Sequence, residues 1–192
     1  MGTRDRILES AVELARDGGV RSVSVRAVAS AAGVGPTTLR YYFPTQAALQ
    51  QAIAERLVLT ALDDRDIADD HQPAAQRLFD CVVQFLPADD ADVAALDVWL
   101  ELYRLSSGPS RSEPTGQLVS QSRRVSKQVL RDWLATLSDQ GHLDSDRIDT
   151  HVVQLLALID GIHLSLLLDR GSFRLEDARQ TVRWYIDHAL TA

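Results

Sequence analysis

One cysteine, Cys81, stands in the 192 residues of this chain. A lone thiol closes no intrachain disulfide and builds no zinc knuckle, so redox and metal frameworks are excluded as the source of the fold. Period-two runs of β-branched residues are almost absent, which leaves little from which to build a sheet. The longest apolar stretch, Leu155 to Leu168, is broken by Asp160, Gly161 and His163 and reads as too short and too polar to span a bilayer. The N-terminus leads through Thr3-Arg-Asp-Arg6 into an amphipathic segment rather than an apolar signal sequence, so the expected compartment is the cytoplasm, with no membrane partner. Also missing are a G-x-S-x-G elbow, a phosphate-cradling glycine loop and an H-E-x-x-H pair. No catalytic residue, metal ligand or cofactor is expected, and the chain does not read as an enzyme.

What is present is an ordinary globular composition, 45% hydrophobic and 24% charged, far from the signature of disorder. The length allows one large helical domain, or a small domain of about fifty residues on a larger one. A net charge of −7 opposes nucleic-acid binding when read as a single block, but the charge is unevenly placed. Residues 1–50 carry six arginines (4, 6, 16, 21, 26 and 40) against four acids, net +2, and the remainder carries 14 basic against 23 acidic side chains, net −9. The change of sign marks a small DNA-facing module on an acidic body.

Apolar residues recur three and four apart nearly everywhere, which predicts an all-α protein. The first helix runs from Arg4 to about Asp17, with Ile7, Leu8, Ala11, Leu14 and Ala15 on one face and Gly18-Gly19 at its end. A second follows the N-cap Ser24 and ends at Gly33, a third spans Pro36 to about Phe43, and a fourth is capped by Thr45 and carries Leu49, Ile53 and Leu57. Longer helices are expected at 73–86, 90–105, 114–139, 146–169 and 175–190, with breaks at 106–114, 139–144 and 170–173. This divides the chain into a helix-turn-helix module at 1–46 and a larger helical body at 47–192 that continues from it without a floppy linker.

The segment Val25 to Phe43 carries the chemistry. A helix-turn-helix needs a first helix that ends abruptly, a residue tucked under the turn, and a second helix with one face free. Ala29 is small where the helices cross, Gly33 accepts the left-handed conformation that ends the first helix, and Val34 fills the space below. Pro36 suits the first position of the next helix. Leu39 and Phe43 should pack on Val28, Ala32 and Val34, leaving Thr37, Thr38, Arg40 and Tyr41 outward to meet a major groove. Arg40 can pair with guanine or clamp a phosphate, and Tyr41, Tyr42 and Ser24 can donate to phosphates. The candidate DNA-contacting set is Ser24, Arg26, Gly35, Pro36, Thr37, Thr38, Arg40, Tyr41, Tyr42 and Gln46.

Those residues, Ile7-Leu8 and Ala11, Ser24-Val-Arg-Ala-Val-Ala29, Ala32-Gly-Val34 and Leu39-Arg-Tyr-Tyr-Phe-Pro-Thr45 with Leu49, resemble the N-terminal domain of TetR-family repressors over about residues 4–55. The resemblance implies an all-helical homodimer whose C-terminal domain dimerises through its last two helices and binds an inducing small molecule. Leu155 to Leu168, centred on Asp160-Gly161, is similar to the choline-responsive BetI-type branch. Three positions depart from the family pattern: Gly35 stands where Ser is usual, Arg40 where Tyr is usual, and Gln46 where Lys is usual.

In the larger body, the helices at 146–169 and 175–190 carry Leu, Ile and Val on more than one face, more than an isolated pair can bury, which makes them the expected homodimer interface. Two recognition helices about 34 Å apart would then read a palindromic double-stranded DNA operator. Phe79, Phe85, Trp99, Tyr103, Trp133 and His163 are candidates to line a cavity for a small, mostly apolar effector, with His163 or Tyr103 orienting it; Phe85, Trp99, Tyr103, Trp133 and His163 form the candidate ligand set. Asp160 and His163 share a helical face, but two residues make no metal site. The competing reading is an all-helical dimer whose helix-turn-helix contacts another protein, and the same module would also serve an activator.

Overall fold

The computed structural model describes residues 2–18, 23–46, 48, 49, 52, 53, 56, 62–89, 93, 96, 100, 103, 104, 106, 107, 113–169 and 171–189. Among these the chain is all-helical, with no strand. Seven helices have defined bounds: α1 (Thr3–Gly18), α2 (Val25–Ala31), α3 (Pro36–Tyr42), α4 (Ala74–Val82), α5 (Glu113–Asp139), α6 (Ile148–Leu168) and α7 (Leu175–Ala189). Single 3-10 turns follow α4 at Val83–Phe85 and precede α6 at Ser145–Arg147. The described residues at 46, 48, 49, 52, 53 and 56 are also helical, and Thr45 caps them, its Oγ1 accepting from the Ala48 N–H at 3.0 Å. The expected helix at 90–105 falls largely outside the described residues; those described within it are helical.

The chain divides into two compact units, Met1–Thr60 with Leu100–Val125, and Ala61–Trp99 with Ser126–Ala192. The core of the first is built by α1, α2 and α3, and its fully buried residues follow helical spacing: Ile7, Leu8, Ala11 and Val12 from α1, Val28 and Ala29 from α2, Leu39 from α3, with Phe43, Leu49 and Ile53 following. Leu118 of α5 belongs to the same core.

The second unit has the larger core, in which Leu78, Cys81 and Val82 of α4 pack with Leu130, Trp133, Leu134 and Leu137 of α5 and with residues of α6 and α7. By length and composition α6 does qualify as a membrane span, which corrects the expectation from its broken apolar run. The two breaking polar residues are too few to lower its mean hydropathy. Six of its residues, including Val152, Leu155, Ile159 and Ile162, are buried in this core, so much of that apolarity is used in packing.

Arg77 of α4 is the notable polar member of this unit, only 1% exposed. Its guanidinium donates to the backbone carbonyls of Gln72 (3.0 Å) and Ile67 and to Gln140 Oε1 (2.8 Å), while Gln140 Nε2 donates to the Ala68 carbonyl at 3.0 Å. Gln84 brackets Asp63 from both sides, accepting from its N–H at 2.9 Å and donating to its carbonyl at 2.7 Å. Side chains from α4 and the turns beside it thus hold segment 62–73, which has no repeating backbone ladder of its own.

Candidate nucleic-acid interface

α2 begins at Ser24, whose extended backbone (φ −115°, ψ 156°) lets Oγ accept from the Ala27 N–H at 3.1 Å. This satisfies one of the helix's free N–H groups and leaves the hydroxyl proton available to an outside acceptor. The helix stops in a Schellman turn. Gly33 sits at φ +63°, its N–H bonds to the Ser30 carbonyl at 3.2 Å, and the next N–H, from Val34, reaches back to the Ala29 carbonyl at 2.9 Å. Val34 then packs against the core that contains Ala29, as the sequence pattern implied.

α3 starts with Gly35 as N-cap and Pro36 in its first turn. Gly35 has ordinary backbone angles (φ −72°, ψ 151°), and a Cβ there would meet nothing nearer than Thr38 Oγ1 at 4.0 Å, so neither strain nor crowding calls for glycine. Its consequence is chemical, because no side chain caps the first amides of α3. Leu39 is fully buried and Phe43 is 3% exposed, both in the core with Val28, Ala32 and, at its edge, Val34. Thr37, Thr38, Arg40 and Tyr41 are exposed on the opposite face. Tyr41 is 79% exposed and meets the half-buried Tyr42 edge to face, ring centroids 5.1 Å apart.

Gln46, expected at the interface, is half-buried, and its Nε2 donates to the Val23 carbonyl at 3.1 Å, which ties the helix after Thr45 to the entry of α2. Arg26 is exposed in the first turn of α2. Among the described residues Arg4, Arg6, Arg26 and Arg40 are all exposed and none forms an ion pair, whereas Arg56 in the same unit is paired with Glu9. Sequence reading did not single out Arg4. Its guanidinium carbon lies 5.4 Å from the centroid of the Phe43 ring, a contact between distant parts of the chain that leaves no local pattern.

One uncovered face on a short helix, held by a buried Leu and Phe, with the unpaired Arg40 on it and Arg4 over the Phe43 ring, is the geometry of a recognition helix. The comparisons with known proteins agree. The family described as bacterial regulatory proteins, tetR family, matches residues 7–53, and that of the BetI-type transcriptional repressor C-terminal region matches residues 74–191. The chain belongs to the TetR family. It is a TetR-family transcription regulator with a DNA-binding helix-turn-helix. The HTH-type transcriptional regulator PksA of Bacillus subtilis (strain 168) is 25% identical over 188 residues, covering 96% of this chain and 88% of that protein. A TetR-family regulator from Rhodococcus sp. shares the fold with a TM-score of 0.69 at 22% identity, covering 98% of each chain. A transcriptional regulator from Saccharomonospora viridis, solved in complex with choline, has a TM-score of 0.57 at 27% identity, covering 96% of this chain and 95% of that one.

Of the ligand candidates in this TetR-family chain, the structure brings Phe85, Trp133 and His163 together. The Phe85 and Trp133 rings meet edge to face at 6.1 Å, and His163 Nε2 lies 2.8 Å from the Phe85 carbonyl. A carbonyl only accepts, so Nε2 carries the proton and Nδ1 is left as an acceptor. Burial holds the His163 pKa below its ordinary value, opposed by that hydrogen bond and by Asp160. Trp99 lies outside the described residues, and Tyr103, 40% exposed, belongs to the other unit. Phe79 lines a separate cleft of about 550 Å³ with Val83, Leu86 and Pro87, its ring covered by the Arg183 guanidinium at 3.7 Å. Burial, with Asp64 and Asp80 nearby, pushes the Cys81 thiol up to about 12. It stays protonated and donates to the Asp64 carbonyl at 3.1 Å, which keeps it from acting as a nucleophile.

Proposed function

We propose that this TetR-family regulator is a cytoplasmic, homodimeric repressor that occupies a palindromic operator and is released from it by a small, mostly apolar effector. The observation that carries the reading is the outward face of α3, where Thr37, Thr38, Arg40 and Tyr41 stand exposed above the buried Leu39 and Phe43. The two threonines are short enough to bring the helix backbone close to DNA and offer methyl groups to thymine, and Arg40 offers a bidentate donor to guanine. Ser24, Arg26, Tyr41 and Tyr42 hold phosphates, with the module at residues 1–46 carrying the DNA contacts and residues 47–192 the remainder.

Dimerisation through α6 and α7 is supported by an uncovered apolar stripe. Val153, Ala157, Gly161, Leu164 and Leu168 fall on one face of α6 and are all exposed, Val153 by 61% and Leu168 by 69%. Trp184 of α7 is 65% exposed and stacks on His188. A second copy laid across this stripe buries it and sets two recognition helices about 34 Å apart, one turn of the duplex.

Effector binding beside Phe85, Trp133 and His163 favours a conformation whose recognition helices are misspaced, so the operator is released by a shift of population. Choline, bound by the Saccharomonospora viridis relative, is the first effector to assay, because aromatic faces suit quaternary ammonium groups. The decisive experiment is a mobility shift with the DNA upstream of the protein's own gene. Wild type is expected to shift it and choline or another effector to reverse the shift, while Arg40→Ala and Tyr42→Ala remain folded dimers that do not bind specifically. Wild-type binding by both variants, or no binding at low salt where phosphate contacts are strongest, overturns the reading.

A further inference from the structure

We infer that Arg4, in the first turn of α1 and outside the helix-turn-helix, is a DNA phosphate contact seated in place by Phe43. The inference rests on the DNA-binding reading above and adds to it a residue and a mode of positioning.

Phe43 closes α3. Its N–H bonds to the Leu39 carbonyl at 2.8 Å and its side chain is 3% exposed, so it is fixed by both backbone and core. The exposed Arg4 has its guanidinium carbon 5.4 Å from the centroid of that fixed ring. Attraction between a guanidinium and a ring face uses none of the arginine's N–H groups. The side chain therefore loses freedom in advance while its donors stay available to an oxyanion, which reduces the ordering cost of the contact.

The donors are also unclaimed. Among the described residues Arg4 has neither a side-chain hydrogen bond nor an ion pair, and the ring contact is its one interaction. An arginine placed for stability alone at this surface would be expected to meet a carboxylate, as Arg56 meets Glu9 in the same unit. Gln46, on the other side of Phe43 in the chain, brings no charge, and its amide nitrogen is taken up by the Val23 carbonyl. Arg4 supplies a full positive charge at the end of α3 where Tyr41 and Tyr42 stand, in a position that Gln46 does not serve. Arg40 lies a turn earlier, in the last turn of α3 beside the exposed Tyr41.

The test is the salt dependence of binding of the full chain to the DNA upstream of its own gene, with a random-sequence duplex beside it. Each phosphate contact adds about 0.9 to the steepness of log K against log salt. Arg4→Ala is expected to lower that steepness by about 0.9 on both duplexes, and so to weaken binding without changing sequence preference. Arg4→Lys keeps the charge and the steepness. Arg4→Gln, which keeps a stem over Phe43 without a charge, should behave as Arg4→Ala does and replaces it if that variant fails to fold. Arg4→Ala or Arg4→Gln with the wild-type steepness, whatever its affinity, overturns the inference, because packing on Phe43 then accounts for the residue. A wild-type chain that binds neither duplex at low salt overturns the DNA-binding reading and this inference with it.

Discussion

The Tyr185 phenol of α7 and His151 Nδ1 of α6 lie 2.8 Å apart, and the same phenol donates to Gln154 Oε1 at 2.8 Å. With its one proton given to Gln154, the phenol accepts from His151, so Nδ1 of the buried imidazole carries a proton. Its Nε2 is buried with no partner among the described residues. Burial, and then the charge of Arg147, hold His151 below its ordinary value.

This arrangement makes stability depend on pH in a defined direction. The unfolded chain protonates its histidines near the ordinary value of 6.5, while burial lowers the pKa of folded His151 and His163, so they bind fewer protons at that pH. The unfolded state thus binds more protons, so stability from these groups is full well above 6.5 and falls as the solution is acidified through that value. Thermal unfolding across that window should show a falling Tm, and the fall should be smaller in His151→Gln and His163→Gln. A wild-type Tm that is flat or rising on acidification contradicts the account.

Gly33→Ala should destabilise the protein, because a Cβ at φ +63° is strained whatever the surrounding space, at a cost of about 1–2 kcal/mol. Urea unfolding measures the loss directly. Gly35→Ala, at ordinary backbone angles with an open Cβ position, is the control and should show a much smaller change.

Arg77→Leu strips a donor from the carbonyls of Ile67 and Gln72 and from Gln140. Of the three, the bond to the Ile67 carbonyl is the buried one, and leaving that acceptor unpaired costs about 1–3 kcal/mol, the size of loss expected by urea unfolding. Arg77→Lys should recover little, since a compact ammonium cannot reproduce the planar fork. Gln140→Ala should cost less than Arg77→Leu, because the two carbonyl contacts of Arg77 remain.

Leu164→Glu and Leu168→Glu place charges on the exposed stripe of α6 without touching the core. Sedimentation velocity should show a dimer for wild type and a monomer for the double variant, with helical content by circular dichroism unchanged. A double variant that still sediments as a dimer would move the interface away from α6.

Most of the architecture was legible in the sequence, and so were the elements of the recognition module. Helices α1, α2, α3, α5, α6 and α7 fall within about two residues of where periodicity, caps and breakers placed them, because amphipathic spacing, Ser24, Gly33, Pro36 and Thr45 are local signals acting over one or two turns. The membrane reading of α6 went the other way, since two polar residues were given more weight than the mean hydropathy of the whole helix.

What the chain determined alone was the recognition module that ends at Phe43: a short helix, a left-handed glycine and a second helix with one apolar face, all set by neighbouring residues. Tertiary structure decided which polar groups remain free. Gln46 is used by Val23, Arg77 by three acceptors and Tyr185 by His151 and Gln154, while Arg4 stands over Phe43 with its donors unclaimed. Such pairings join residues far apart in the chain, and no local pattern carries them, because they depend on which faces the core turns towards one another.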